Sequence, residues 1–105
     1  MIDEKKCGLS LEIQEKICAV LKKYSKIQKV LLYGSRANGL FQTGSDIDLS
    51  IISEELLTKN LLTIQVEIDD LLLPYKVDIS LFSQIDHLPL LEHIKKVGLE
   101  FYRKV

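Results

Sequence analysis

A chain of 105 residues is long enough for one domain with a modest core and too short for two independent ones. Its 47% hydrophobic and 28% charged residues are ordinary globular composition, which excludes a disordered or low-complexity chain. The 14 basic and 15 acidic side chains leave a net charge of -1, so no global positive field gathers nucleic acid, and direct nucleic-acid binding is not expected.

Met1 to Ser10 carries Asp3, Glu4, Lys5 and Lys6 and lacks a continuous apolar run. Neither a signal peptide nor a membrane span is expected, and the sequence reads as a soluble, cytoplasmic protein. Cys7 and Cys18 lack metal-ligand spacing and are too few for a disulfide scaffold, so they read as reduced structural thiols.

Leu9, Ile13, Ile17, Val20, Leu21 and Tyr24 recur at helical spacing with Glu12, Glu15, Lys16, Lys22 and Lys23 opposite, which predicts an amphipathic helix. Val30-Leu31-Leu32-Tyr33, bounded by Gly34-Ser35, predicts a buried strand ending in a tight turn. Arg36 to Leu40 fits a short helix closed by Gly39, followed by a polar loop through Gln42, Thr43, Gly44 and Ser45. From Asp46 to Ile52 the residues alternate, with Ile47, Leu49 and Ile51 on one face and Asp46, Asp48 and Ser50 on the other, which predicts a second strand. Leu57, Leu61, Ile64, Ile68, Leu71 and Leu72 fit a long helix stopped by Pro74. In Lys76 to Leu81 the same alternation predicts a third strand with Asp78 on its polar face. Pro89 opens a last helix through Leu91, Ile94 and Val97, ending near Gly98, with Phe101 and Tyr102 in a docked tail. With no repeat or linker in view, residues 1–105 read as a single α+β domain: a small sheet with helices packed on one face and its acids toward the open side.

Three acids on the polar faces of two strands are the most unusual feature, because crowded carboxylates repel one another unless cations neutralise them. All-oxygen ligands suit magnesium, which keeps several waters and is completed by substrate phosphates. Two residues along a strand span roughly 6.6 Å, so Asp46 and Asp48 could share two ions about 3.5 to 4 Å apart. Such ions hold a triphosphate, activate an attacking hydroxyl and stabilise the leaving pyrophosphate. Asp78, brought alongside by strand pairing, would serve the acceptor side and help remove the hydroxyl proton. Gly34-Ser35 would bring backbone amides and a hydroxyl to the incoming anion. It is not a Walker-type loop, because no lysine-serine pair follows.

Each piece has a bland alternative. Gly-Ser after a strand is commonly only a turn, and Asp-Ile-Asp on a strand can be a solvated edge. The two at one fixed gap should arise by chance in about one chain in a thousand of this length, so the combination favours a site. His87 and His93 lack metal-ligand partners and read as surface residues of the last helix. Lys76 reads as an exposed strand lysine, and Tyr33, Tyr75, Phe82 and Phe101 as core or interface aromatics.

Gly34-Ser35, ten intervening residues and then Asp46-Ile47-Asp48, within GSRANGLFQTGSDIDLSI, resembles the signature of the DNA polymerase beta-like nucleotidyltransferase superfamily, in its minimal prokaryotic MNT branch. LPYKVDIS resembles the segment bearing that family's third acid, and LLEHIKKVGLEFY its closing helix, so the likeness spans about Val30 to Tyr102. The resemblance implies a two-layer nucleotidyltransferase fold with a small mixed sheet, magnesium-dependent transfer from a nucleoside triphosphate such as ATP, and frequent pairing with a HEPN-type ribonuclease toxin. In such pairs the small protein is the antitoxin, and some members attach AMP to a tyrosine of the toxin. By position, Asp46, Asp48 and Asp78 match the metal-binding and catalytic acids, while Gly34 and Ser35 match the phosphate-contacting pair. Arg36 falls where the family often has arginine, as a phosphate contact or equally a surface salt bridge, and Ser45 completes the expected nucleotide-binding set.

The expected activity is transfer of AMP from ATP to a hydroxyl of a cognate toxin. Two alternatives stand beside it: a non-catalytic antitoxin that binds and occludes its toxin, and nucleotidyl transfer to a small hydroxylated compound such as an aminoglycoside. The ribonuclease role itself is not expected, because neither His87 nor His93 follows an arginine at the spacing of a HEPN motif. A homo-oligomer is compatible with the sequence.

Overall fold

The computed structural model describes residues 1–56 and 58–105. Asp3 opens a short helix, α1 (Glu4–Cys7), by accepting the Lys5 N–H on its carboxylate at 2.9 Å. Ser10 opens the next, α2 (Leu11–Leu21), by accepting the Ile13 N–H at 3.2 Å, which satisfies one of the orphan donors of a first helical turn. The buried face of α2 carries Gln14, Ile17, Val20 and Leu21. Gln14 is a polar residue at an apolar position because its amide is fully used. It accepts from the Ile2 N–H at 3.0 Å and donates to the carbonyls of Ile2 at 2.8 Å and Leu9 at 3.1 Å, fastening the N-terminal segment to the helix.

The chain continues through β1 (Lys29–Tyr33), a one-turn α3 (Ser35–Asn38), β2 (Ile47–Ile52), α4 (Thr58–Asp69), β3 (Val77–Leu81), a 3-10 turn at Phe82–Gln84, α5 (Leu88–Val97) and β4 (Leu99–Arg103). The strands form one mixed sheet in the order β3-β2-β1-β4. β1 pairs antiparallel with both β2 and β4, whereas β2 and β3 run parallel because α4 carries the chain back across the sheet between them. Val30, Leu32, Ile47, Leu49, Ile51, Val77 and Leu81 join Ile17, Val20 and Leu21 of α2 and Ile64 and Ile68 of α4 in one apolar cluster, so these two helices cover the apolar face. The architecture is the small mixed α+β sheet that the alternating strands predict. No described helix is long and apolar enough to cross a membrane.

Four details differ from the sequence expectation. Glu4–Cys7 forms a short helix where the sequence reading placed no element. Tyr24 lies beyond the end of α2. α4 ends at Asp69 rather than at the proline: Leu72 turns left-handed at φ 54° and is 87% exposed, so it leaves the apolar stripe assigned to it. Leu57, placed on the same stripe, lies outside the described residues. The expected docked tail is the edge strand β4. Its alternation is broken by a register shift opposite Val30 and Leu31, where Phe101 turns into the core, and that interruption hides the strand from a period-two reading.

Candidate active site

The strand register, which no single strand reveals, brings the acids together. Asp48 of β2 lies directly opposite Asp78 of parallel β3 and directly opposite Tyr33 of antiparallel β1, so these three side chains form one row across the sheet on the face away from the main core. Asp46 sits just before β2 and is exposed, while Asp48 and Asp78 are half-buried. Burial pushes the Asp48 carboxyl above its ordinary 3.8, and repulsion from Asp78 and then Asp46 pushes it the same way. Lys76 and His93 partly oppose the rise. Lys76 reaches Asp78 at 3.7 Å, in an exposed ion pair.

Gly34 ends β1 against this row. Its backbone, at φ 77° and ψ -157°, suits glycine alone, and a Cβ built there would stand 2.4 Å from Asp48 Oδ2. The glycine is therefore needed twice: for the bend, and because the metal-ligand candidate leans directly on it. Ser35 follows as the first residue of α3, half-buried at the same corner.

Arg36 is not a surface cation: it is 1% exposed, and its guanidinium is turned onto backbone carbonyls rather than into a surface salt bridge. Its Nε and Nη2 donate to the Ser45 carbonyl at 3.0 and 2.8 Å, and Nη1 donates to the Cys7 carbonyl at 2.9 Å. Its guanidinium carbon lies 4.7 Å from the Tyr75 ring centroid and 5.6 Å from that of Phe41. Arg36 thus clamps the residue before Asp46 to the end of α1, and it governs where the acid loop enters β2. Ser45 is spent on the same loop: its hydroxyl accepts the Gln42 N–H at 2.8 Å, while its own N–H returns to the Gln42 carbonyl at 3.0 Å.

His93 was missed. Expected on a free helix surface, it is half-buried, its Nε2 accepts the Gly34 N–H at 3.1 Å, and its ring meets Tyr33 edge to face with centroids 6.4 Å apart. His87 does lie exposed at the start of α5. Tyr33 is likewise a site neighbour rather than a core aromatic. Burial raises its phenol pKa, with the Ser80 hydroxyl working against the rise and Asp48 and Asp78 adding to it. One row behind the two acids, the register partners Ser50 and Ser80 carry buried hydroxyls, and that of Ser50 has no hydrogen-bond partner among the described residues.

Among the described residues, no three or more histidine, cysteine or acid side chains are already gathered closely enough to hold an ion by themselves. The donor set nonetheless suits a hard cation. Two carboxylates face each other across adjacent strands with a third nearby, burial and then that crowding push the Asp48 carboxyl upward, and a cation completed by phosphate oxygens would relieve the repulsion.

No curated protein matches the chain in sequence. Several solved structures share its fold. A chain from a crystal structure of a toxin-antitoxin with AMP-PNP superposes with a TM-score of 0.71 at 20% identity, covering 87% of this chain and 73% of that one. A chain of the toxin-antitoxin MntA-HepT gives 0.68 at 18% identity over 90% and 74%. A chain from tri-AMPylated Shewanella oneidensis HEPN toxin in complex with MNT antitoxin gives 0.67 at 18% identity over 89% and 71%. At the level of sequence, the profile of the family described as "Polymerase beta, Nucleotidyltransferase" matches residues 15–104, a span that holds the glycine-serine bend, all three acids and the closing strand. The chain belongs to the polymerase beta nucleotidyltransferase family.

Proposed function

We propose that this protein is a magnesium-dependent nucleotidyltransferase that moves AMP from ATP onto a hydroxyl, a tyrosine of a HEPN-type toxin, and thereby acts as that toxin's antitoxin. The observation that carries the reading is the pairing of Asp48 with Asp78 in register beside Gly34, within a chain of the nucleotidyltransferase family. The neighbours supply the substrate classes: one holds AMP-PNP, and another joins an AMPylated HEPN toxin to an MNT antitoxin.

Asp46, Asp48 and Asp78 would hold two magnesium ions, which when bound neutralise the phosphate charge and lower the pKa of the attacking hydroxyl. Gly34 and Ser35 would bind the phosphates, with the bend of β1 fixing their distance from Asp48. Asp78, carried by the edge strand β3, would serve the acceptor side and take the hydroxyl proton. The acceptor oxygen forms a bond to the α-phosphorus, the bond from that phosphorus to the α–β bridging oxygen breaks, and pyrophosphate leaves. Arg36 and Ser45 contribute through the loop that delivers Asp46, not by touching the nucleotide.

The test is incubation with α-labelled ATP, magnesium and a HEPN-type toxin, taken from the adjacent gene where that gene encodes one. Label should appear on that toxin at a tyrosine, and Asp46→Asn with Asp48→Asn should abolish it. If the double variant still neutralises the toxin, occlusion is the mechanism. Label on an aminoglycoside but not on protein would move the acceptor to small molecules.

A further inference from the structure

We infer that His93 is a positioning residue for the nucleotide site, holding the Gly34-Ser35 bend in place from α5. This rests on the reading above that the bend binds the nucleotide's phosphates. The strand ladders end before Gly34: β1 pairs with β2 as far as Tyr33 and with β4 as far as Leu32, so neither neighbour takes the Gly34 N–H. Its partner is instead His93 Nε2, 59 residues along the chain, at 3.1 Å. Accepting at Nε2 fixes the imidazole tautomer with its proton on Nδ1.

Gly34 is thereby gripped from two sides. Asp48 Oδ2 leans on its Cα, and His93 holds its N–H. The backbone between them sits in a sparsely populated conformation with no deep well of its own, so its orientation depends on these outside contacts. Turning the Tyr33–Gly34 peptide would turn Ser35, the next residue, away from the acids. The ring is steadied by its edge contact with Tyr33, itself the row neighbour of Asp48. Because α5 leads through Gly98 straight into β4, which is bonded along β1, the closing segment is tied to the same strand twice: by the ladder, and by this histidine. The 88–103 segment therefore sets the spacing between phosphate cradle and acids.

The experiment uses two variants and one measurement on the unaltered protein. His93→Phe keeps a ring beside Tyr33 but has no acceptor; His93→Gln offers an amide oxygen in its place. Calorimetry with magnesium and a non-hydrolysable ATP analogue should show His93→Phe binding about ten-fold more weakly, and His93→Gln recovering most of the loss. In the transfer assay the KM for ATP should rise with kcat within about two-fold, the signature of lost binding common to ground and transition states. In the nucleotide-free wild type, a coupling across the hydrogen bond should link the Gly34 amide to His93 Nε2, a readout that needs no variant to fold. Wild-type affinity in His93→Phe, equal loss in both variants, or no such coupling overturns the inference and leaves the proposed function standing. Failure of the wild type to bind the analogue at all brings both down.

Discussion

Replacing Asp48 with asparagine should make the protein more stable and inactive. Register partners on adjacent strands lie about 4.8 Å apart, which puts the Asp48 and Asp78 carboxylates on the order of 5 Å from each other. Their repulsion is about 3 kcal/mol at an effective dielectric of 20 and about 0.8 kcal/mol in water. The Asp78 side chain is 45% exposed and Lys76 lies 3.7 Å away, so the watery limit governs, and removing the charge should stabilise the metal-free protein by about 1 kcal/mol. For a domain of this size that is a rise in Tm of roughly 5 °C. The pH dependence fixes the sign. Asp48 has its folded pKa above the ordinary 3.8, so between those values the folded state holds more protons than the unfolded one, and stability falls as pH rises through the window. The advantage of Asp48→Asn should be full at neutral pH and vanish under acid conditions below both values. Thermal melts at neutral and acid pH, with and without magnesium, read all of this at once, because magnesium should raise the Tm of the wild type and much less that of the variant. Transfer should fall by at least about 100-fold. A variant that melts at or below the wild-type temperature at neutral pH, or gains equally from magnesium, refutes the crowding of charge on which the site rests.

Gly34→Ala should destabilise by about 2–3 kcal/mol and abolish transfer, since it adds a Cβ at a positive φ directly against Asp48 Oδ2; denaturant melts and the transfer assay check both halves. Arg36→Lys should lower stability by about 2 kcal/mol despite keeping the charge, because an ammonium cannot bond both the Cys7 and Ser45 carbonyls while stacked between Tyr75 and Phe41; nucleotide affinity should fall less than the urea midpoint. Leu72→Gly should stabilise by about 0.5 kcal/mol, as relief of a left-handed leucine outweighs the glycine's added freedom in the unfolded chain, and an unchanged or lower Tm would contradict this.

What the sequence determined by itself is what periodicity and local chemistry encode. The alternation from Asp46 to Ile52 and from Lys76 to Leu81 put every acid on a polar face, and Gly34 marked a bend whose backbone suits glycine alone. Those features depend on residues within a few positions of one another. The tertiary structure decided the rest. Periodicity says which face Asp48 and Asp78 share, but the parallel register that makes them opposite neighbours is set by how α4 packs and returns the chain. From sequence Arg36 read equally as a phosphate contact or a surface ion pair, and only the closing of Cys7, Phe41, Ser45 and Tyr75 around it makes it a buried clamp. β4 was hidden by the shift that turns Phe101 inward, and His93 by a partner far along the chain, since a hydrogen bond between distant residues leaves no local periodic trace and exists only once the elements carrying them have packed.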